Sequence, residues 1–297
     1  MRITRIILSF VAAAMVVSCA GTIDPDAQGG GKDESGNGQG GDNPYVELSS
    51  GYLQQMVAMQ FTSVGCVNCP TLGNAIKNIQ KNIPGAIIPV AFHLDYDIDD
   101  PMSLPECANF YKKVDHVNDG AFRLPMFAMN FRLGSERIIS EYVKIESQLV
   151  YQTEKYPAVC GVAINTDYDG NTGKITVKAR FKSDVALPFK YHMLIVEDGI
   201  QYAQKGVESG EYTHDNVFRH MVGNDVRGVD LNLRKALVPG EEYEVNKTIE
   251  IASDWKVENL RVVVAMLNEV DSEWGANNAN ACALGSSVDY LYVNKDE

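Results

Sequence analysis

Three scarcities narrow the chemistry open to this 297-residue chain. Histidine is rare, no two of the five fall at i, i+4, and Cys66-Val67-Asn68-Cys69 is its only C-x-x-C. A tetrahedral zinc site commonly takes two such pairs, so the pattern argues against zinc. Positive charge is also short, with 26 Lys and Arg against 39 Asp and Glu and a net charge of −13. An acidic chain repels phosphate backbones and anionic lipid, which argues against nucleic acid as a partner. Finally, no apolar run beyond the N-terminus is long enough to span a bilayer.

What the N-terminus does have is an export signal over residues 1–18. Arg2 and Arg5 precede an apolar stretch over 6–17 that is too short to span as a stable helix. Val16-Val17-Ser18-Cys19 resembles the lipobox of bacterial lipoproteins, in which the cysteine is acylated and becomes the first mature residue. Loss of Arg2 and Arg5 takes the net charge from −13 to −15. Residues 19–44 then read as the acylated Cys19 and a Gly-rich, acidic tether, unable to bury enough apolar surface to offset its ordering entropy. Its ends should lie roughly 25–30 Å apart. Ala20 behind the cysteine resembles the pattern sorted to the outer membrane, on its periplasmic or surface face. The lipid is the one membrane anchor in this reading.

Folding begins at residues 45–156. An apolar run ends at Gly65, followed by Cys66, Cys69 and Pro70. Cys69, Leu72, Ile76, Ile79 and Ile83 are spaced 3, 4, 3 and 4, one face of a helix. Pro70 suits its first turn, and Cys66 then stands just before a helix N-terminus, where a thiolate is favoured. Strands are expected at 53–61, 86–93 and 124–130. A helix opens at a Ser103–Glu106 capping box, and a short strand ends at Ile139 before Ser140 caps a last helix. C-x-x-C-P at the first helix, and Leu124-Pro125 entering the third strand, resemble the thioredoxin fold. That resemblance implies redox roles for Cys66 and Cys69 and a cis Pro125 lying against them. Gly65 stands where that family usually has Trp, and Gln60 where it has a buried carboxylate that accepts the second thiol's proton.

Asp95, Asp97, Asp99 and Glu106 reproduce most of an EF-hand register, but Asp100 replaces the glycine and no helix precedes. They are a weak calcium candidate, with a solvated acidic loop as the plainer reading. From residue 157 to 297 the period changes to two, and a hairpin around Asp169-Gly170 opens a series of about seven strands. The expected architecture is an α/β thioredoxin-like domain followed by an all-β sandwich resembling immunoglobulin or fibronectin modules. Tyr212-Thr213-His214-Asp215-Asn216-Val217-Phe218-Arg219-His220 reads as a polar loop entering a strand. Cys160 and Cys282, near the ends of the β region, are a candidate disulfide, and Cys107 a buried free thiol.

Together the lipobox, the tether, F-T-x-x-x-C-x-N-C-P and T-H-x-N-V-x-R resemble the twenty-eight-kilodalton outer-membrane-protein-related lipoproteins of Gram-negative anaerobes. Two functions stay open. One is a membrane-anchored thiol–disulfide exchanger acting on exported proteins, with Cys66 attacking and Cys69 resolving. The other is a binding or adhesion lipoprotein in which Cys66–Cys69 is a static bridge. Neither requires a cofactor.

Overall fold

The computed structural model describes residues 51–115, 119–132, 142–208 and 211–293. The export signal, Cys19, the tether, the strand ending at Ile139 and the Ser140 cap lie outside those residues.

Strand β1 (Met56–Thr62) is apolar and buried at every position but Gln60. It pairs in parallel with β2 (Ile87–His93), which is buried throughout, and the register sets Thr62 opposite His93. On its other edge β3 (Met126–Met129) runs antiparallel, with Phe61 opposite Met126. Helix α1 (Cys69–Asn82) joins β1 to β2 and buries Cys69, Leu72, Ile76 and Ile79, the face expected from their spacing. Helix α2 (Pro105–Val114) starts behind Leu104 with no side-chain cap, so the Ser103–Glu106 box does not form. Pro105 occupies the first turn instead, where it loses no hydrogen bond. Helix α3 (Tyr142–Lys155) brings Ile145 and Leu149 into one apolar cluster with Leu72, Ile76 and Ile79.

Beyond it come β4 (Cys160–Asp169), β5 (Lys174–Ser183), β6 (Lys190–Glu197), β7 (Ile200–Tyr202), β8 (Tyr212–His214) and β9 (Val217–Met221). Then follow β10 (Val229–Asp230), β11 (Tyr243–Glu250), β12 (Leu260–Val270), β13 (Glu273–Ala283) and β14 (Ser287–Val288).

These strands correct the expected fold class. The chain does not form an α/β thioredoxin-like domain followed by an immunoglobulin- or fibronectin-like sandwich. It is mostly β, and strands from both halves share one eight-stranded mixed sheet in the order β13-β12-β6-β9-β2-β1-β3, with β10 on β6. The joint is β9. Ala91 N–H donates to Asn216 O at 2.7 Å, and Ala91 pairs in parallel with Val217. The other edge of β9 is antiparallel to β6. An open β2 edge would expose a row of unpaired backbone groups, and β9 covers it. The core follows the sheet: Phe218 of β9 stacks on Phe92 at 5.1 Å and lies edge-on to Phe110 at 5.9 Å. One apolar cluster runs from Val57 to Ala279.

The second sheet has the order β11-β5-β4-β14. Buried amides tie it to β13, where a sandwich of the expected kind would interleave apolar side chains. Asn277 accepts from Val159 N–H at 2.8 Å, Asn278 donates to Cys160 O at 2.9 Å, and Asn280 donates to Val162 O at 3.0 Å. The residues from Ser49 to Glu297 form one compact unit.

Candidate functional site

The loop from β1 to α1 closes on a Cys66–Cys69 disulfide with a Cα–Cα distance of 5.4 Å. Cys69 is the first residue of α1, with Pro70 behind it and Asn68 at the N-cap. Cys66 therefore stands one turn ahead of the helix, and Cys69 at its very start. Pro125, in a cis peptide with Leu124, enters β3 one residue beyond the Phe61–Met126 pair, at the end of β1 where this loop begins. The tip of the loop is open, with Val67 53% exposed, while Cys66 and Cys69 are 3% and 1% exposed.

Two segments cover the sulfurs. The chain after β7 carries Gln204, 4% exposed, whose Nε2 donates to the carbonyls of Cys66 at 2.9 Å, Ser63 at 3.1 Å and Val64 at 3.3 Å. Lys205 N–H donates to Val64 O at 2.9 Å. Gly206 follows at φ +89°, and a Cβ there would come within 2.6 Å of Val67 O. From the other side the acidic loop lays Tyr96 O over Gly65, 2.4 Å from where a Cβ would be. No side chain fits at that position, and a Trp least of all.

On the α1 side of the sheet a buried polar cluster backs the loop. Asp100 Oδ2 receives both His93 Nδ1 and Val64 N–H at 2.8 Å, and Oδ1 receives Met102 N–H at 2.9 Å. Burial works to raise the Asp100 carboxyl, but these bonds outweigh it and hold the group below its usual range. The His214 ring lies edge-on to His93 at 5.2 Å and to Tyr212 at 4.8 Å. Burial first, then His93, pushes His214 down to about 4. Gln60, the position without a carboxylate, donates to Cys69 O at 3.5 Å. A cavity of about 30 Å³ separates Cys69 from these rings.

The outer membrane protein Omp28 family model matches residues 135–288, more than half of the chain. The chain belongs to the Omp28 family. The resemblance drawn from the sequence to the twenty-eight-kilodalton outer-membrane proteins is thereby borne out, and the family's name points to the outer membrane. The match starts downstream of the dithiol and includes the T-H-x-N-V-x-R run. No curated protein is similar enough to match. Among solved structures, HBP35 of Porphyromonas gingivalis gives a TM-score of 0.64 at 16% identity, covering 83% of this chain and 79% of that one. Protein AGR_C_4864 from Agrobacterium tumefaciens gives 0.51 at 13% identity, covering 80% and 97%. Identities this low show a shared fold and nothing about activity.

In this Omp28 chain the remaining candidate residues are not gathered as the sequence suggested. Cys160 and Cys282 form no disulfide: both are free and buried, Cys160 Sγ lying 3.3 Å from Asn277 Oδ1 and Cys282 Sγ 3.8 Å from Ser286 O. They sit on different strand pairs, Cys160 opposite Ser183 and Cys282 opposite Val262. Burial raises both thiols, and pushes that of Cys107 up to about 12, which keeps all three unreactive. Asp95, Asp97, Asp99 and Glu106 build no calcium centre, and no three His, Cys, Asp or Glu among the described residues are grouped to hold a metal. Asp95 Oδ1 instead accepts Asp100 N–H at 2.9 Å, and Asp97 faces Lys205 at 3.9 Å. His214 and His220 part company at the Asn216 turn, where φ is +63°. Arg219 pairs with Glu197 at 2.7 Å. Sequence reasoning missed His93, Asp100, Gln204 and Tyr212 as neighbours of the dithiol. Of these only His93, a polar residue ending an apolar strand, left a signal.

Proposed function

We propose that this Omp28 protein is a lipoprotein acylated at Cys19 whose Cys66–Cys69 pair exchanges thiols and disulfides with exported proteins. The reading is carried by a disulfide set between the end of β1 and the first residue of α1. Pro125 enters the sheet beside it. In the reduced pair, Cys66 attacks a partner disulfide and Cys69 resolves the mixed disulfide, while Pro125 walls the approach. Cys69→Ser should then trap a mixed disulfide through Cys66, and Cys66→Ser should trap nothing.

One observation favours a second reading. Both sulfurs are covered and Gln204 clasps their loop, as suits a static bridge in a binding or adhesion lipoprotein. The reduction potential separates the two. A value above about −300 mV, together with trapping by Cys69→Ser, supports exchange. A lower value with no partner captured by either variant leaves the static bridge standing.

Cys19 supplies the membrane attachment, since no helix among the described residues is long and apolar enough to cross. Cys19→Ser should move the protein from the detergent phase to the aqueous phase. Unchanged partition would remove the lipid from this reading.

A further inference from the structure

The cavity behind the disulfide lies between α1 and the sheet. Gln60, Cys69, His93, Gln204, Tyr212 and His214 are among its walls. Its volume of about 30 Å³ accommodates one or two waters, since each needs roughly 10–15 Å³ and two to four polar partners. Gly73 keeps the inner wall open: a Cβ there would sit 3.3 Å from Tyr212 Oη and 3.5 Å from Gln60 Nε2.

His214 is 3% exposed, its ring bonds the backbone of Tyr202, and its buried Nε2 has no protein partner. With the ring N–H spent on Tyr202, Nε2 carries the lone pair. A buried acceptor left unpaired costs about 1–3 kcal/mol, so packing alone gives no reason for a histidine here. Phe would stack as well against Tyr212 and His93. His93 is the weaker candidate for the same task, because its Nδ1 is committed to Asp100.

We infer that His214 Nε2, through a water held in this cavity, is the proton acceptor for the Cys69 thiol. The inference rests on the exchange reading above and fills the place that Gln60 leaves without a base. The steps balance as follows. A dithiol reductant first reduces Cys66–Cys69. Cys66 thiolate attacks the partner disulfide, forming a Cys66–partner bond and releasing one partner thiolate, which takes a proton from solvent. The Cys69 proton passes over the water to His214, and Cys69 Sγ attacks Cys66 Sγ. The Cys66–partner bond breaks, the Cys66–Cys69 bond re-forms, and the second partner thiolate leaves. It is protonated at the expense of the His214 imidazolium. Two electrons pass from the dithiol to the partner.

The test uses the pre-reduced full-length protein and dithiobis(nitrobenzoate) as the disulfide. Attack by Cys66 releases one thionitrobenzoate and resolution by Cys69 a second, so stopped-flow absorbance separates the steps. A variant lacking both cysteines gives the background from other thiols. His214→Phe keeps the ring, and His214→Gln keeps a polar group without a base. Both should leave the first phase unchanged and slow the second about 100-fold, the usual scale of general acid–base assistance. Wild-type rates in both phases would overturn the inference and leave the exchange reading intact. Equal slowing of both phases would mark His214 as structural and overturn it too. If the wild-type protein releases no thionitrobenzoate above background, the exchange reading fails and the inference falls with it.

Discussion

Gln204 presents one amide to the carbonyls of Ser63, Val64 and Cys66, and so holds the dithiol loop from outside. Each such bond contributes about 0.5–1.5 kcal/mol net, so the clasp is worth roughly a tenfold shift in how often the loop is uncovered. Gln204→Ala should therefore speed reduction of Cys66–Cys69 by dithiothreitol about tenfold. An unchanged rate would mean that the acidic loop over Gly65 sets the access. A second residue-scale consequence concerns pH. His192 is fully buried between Phe110 and Phe131, and desolvation takes it down to about 3. His214 is lowered to about 4. In the unfolded chain both bind a proton near 6.5, so below that value the unfolded state holds more protons than the native one. Stability is then complete above pH 6.5 and falls as the pH drops toward 4. The fall is on the order of 3 kcal/mol for the shift at His214 alone. Asp100, held below its usual range, adds a loss of the same sign at still lower pH. Urea midpoints measured from pH 7 to 4 should show this decline, and His192→Phe should flatten it. A variant curve parallel to the wild type would contradict the assignment.

Strand β9 is the element on which both the architecture and the cavity depend. It covers the β2 edge through Ala91, inserts Phe218 between Phe92 and Phe110, and follows the turn that aims His214 inward. Phe218→Ala should cost about 3–5 kcal/mol in chemical denaturation, the range for a fully buried aromatic. A loss under 1 kcal/mol would show that the joint is held by backbone pairing alone. The period-two runs made β4, β5, β6, β9, β11 and β12 legible in the sequence, and the 3, 4, 3, 4 spacing did the same for α1. Strand β13 was not legible. Trp274-Gly275-Ala276-Asn277-Asn278-Ala279-Asn280 is poor in β-formers, and it is extended because its amides bond β4 and the chain before it. The cysteines and Pro125 stood out by motif. His93 and His214 did not come together on the page, because no periodicity says which strand edges will meet. Gly65 looked like a departure from a redox pattern, yet the Tyr96 carbonyl above it is reason enough for a glycine.

At the scale of the molecule, the sheet runs without a break across the point where the sequence changes period. Residues before Tyr156-Pro157 supply β1, β2 and β3, and those after it supply β6, β9, β12 and β13 of the same sheet. Gln54 Nε2 donates to Asn277 O at 2.9 Å and Gln55 N–H to Asn278 Oδ1 at 2.9 Å, a second seam between the two halves. Arg132 stacks on Tyr156 at 3.8 Å, and Lys113 Nζ, its amine lowered to about 8 by burial, reaches Trp274 O at 3.1 Å. Separating the halves would uncover Phe61, Phe92, Phe110 and Phe218 together, four side chains each worth roughly 1.5–3 kcal/mol of burial. It would also open two sheet edges and leave the Asn277–Asn280 amides without partners. Fragments 51–156 and 157–297 should therefore each lack slow-exchanging amides and cooperative unfolding when made alone. Mixed, they should regain protection first along β2, β6 and β9, where the sheet is joined. Independent cooperative unfolding of both fragments would show that the shared sheet is a docking of two stable parts. The cavity between Cys69 and His214 would then depend on how the parts dock, and its proton path would open and close with them.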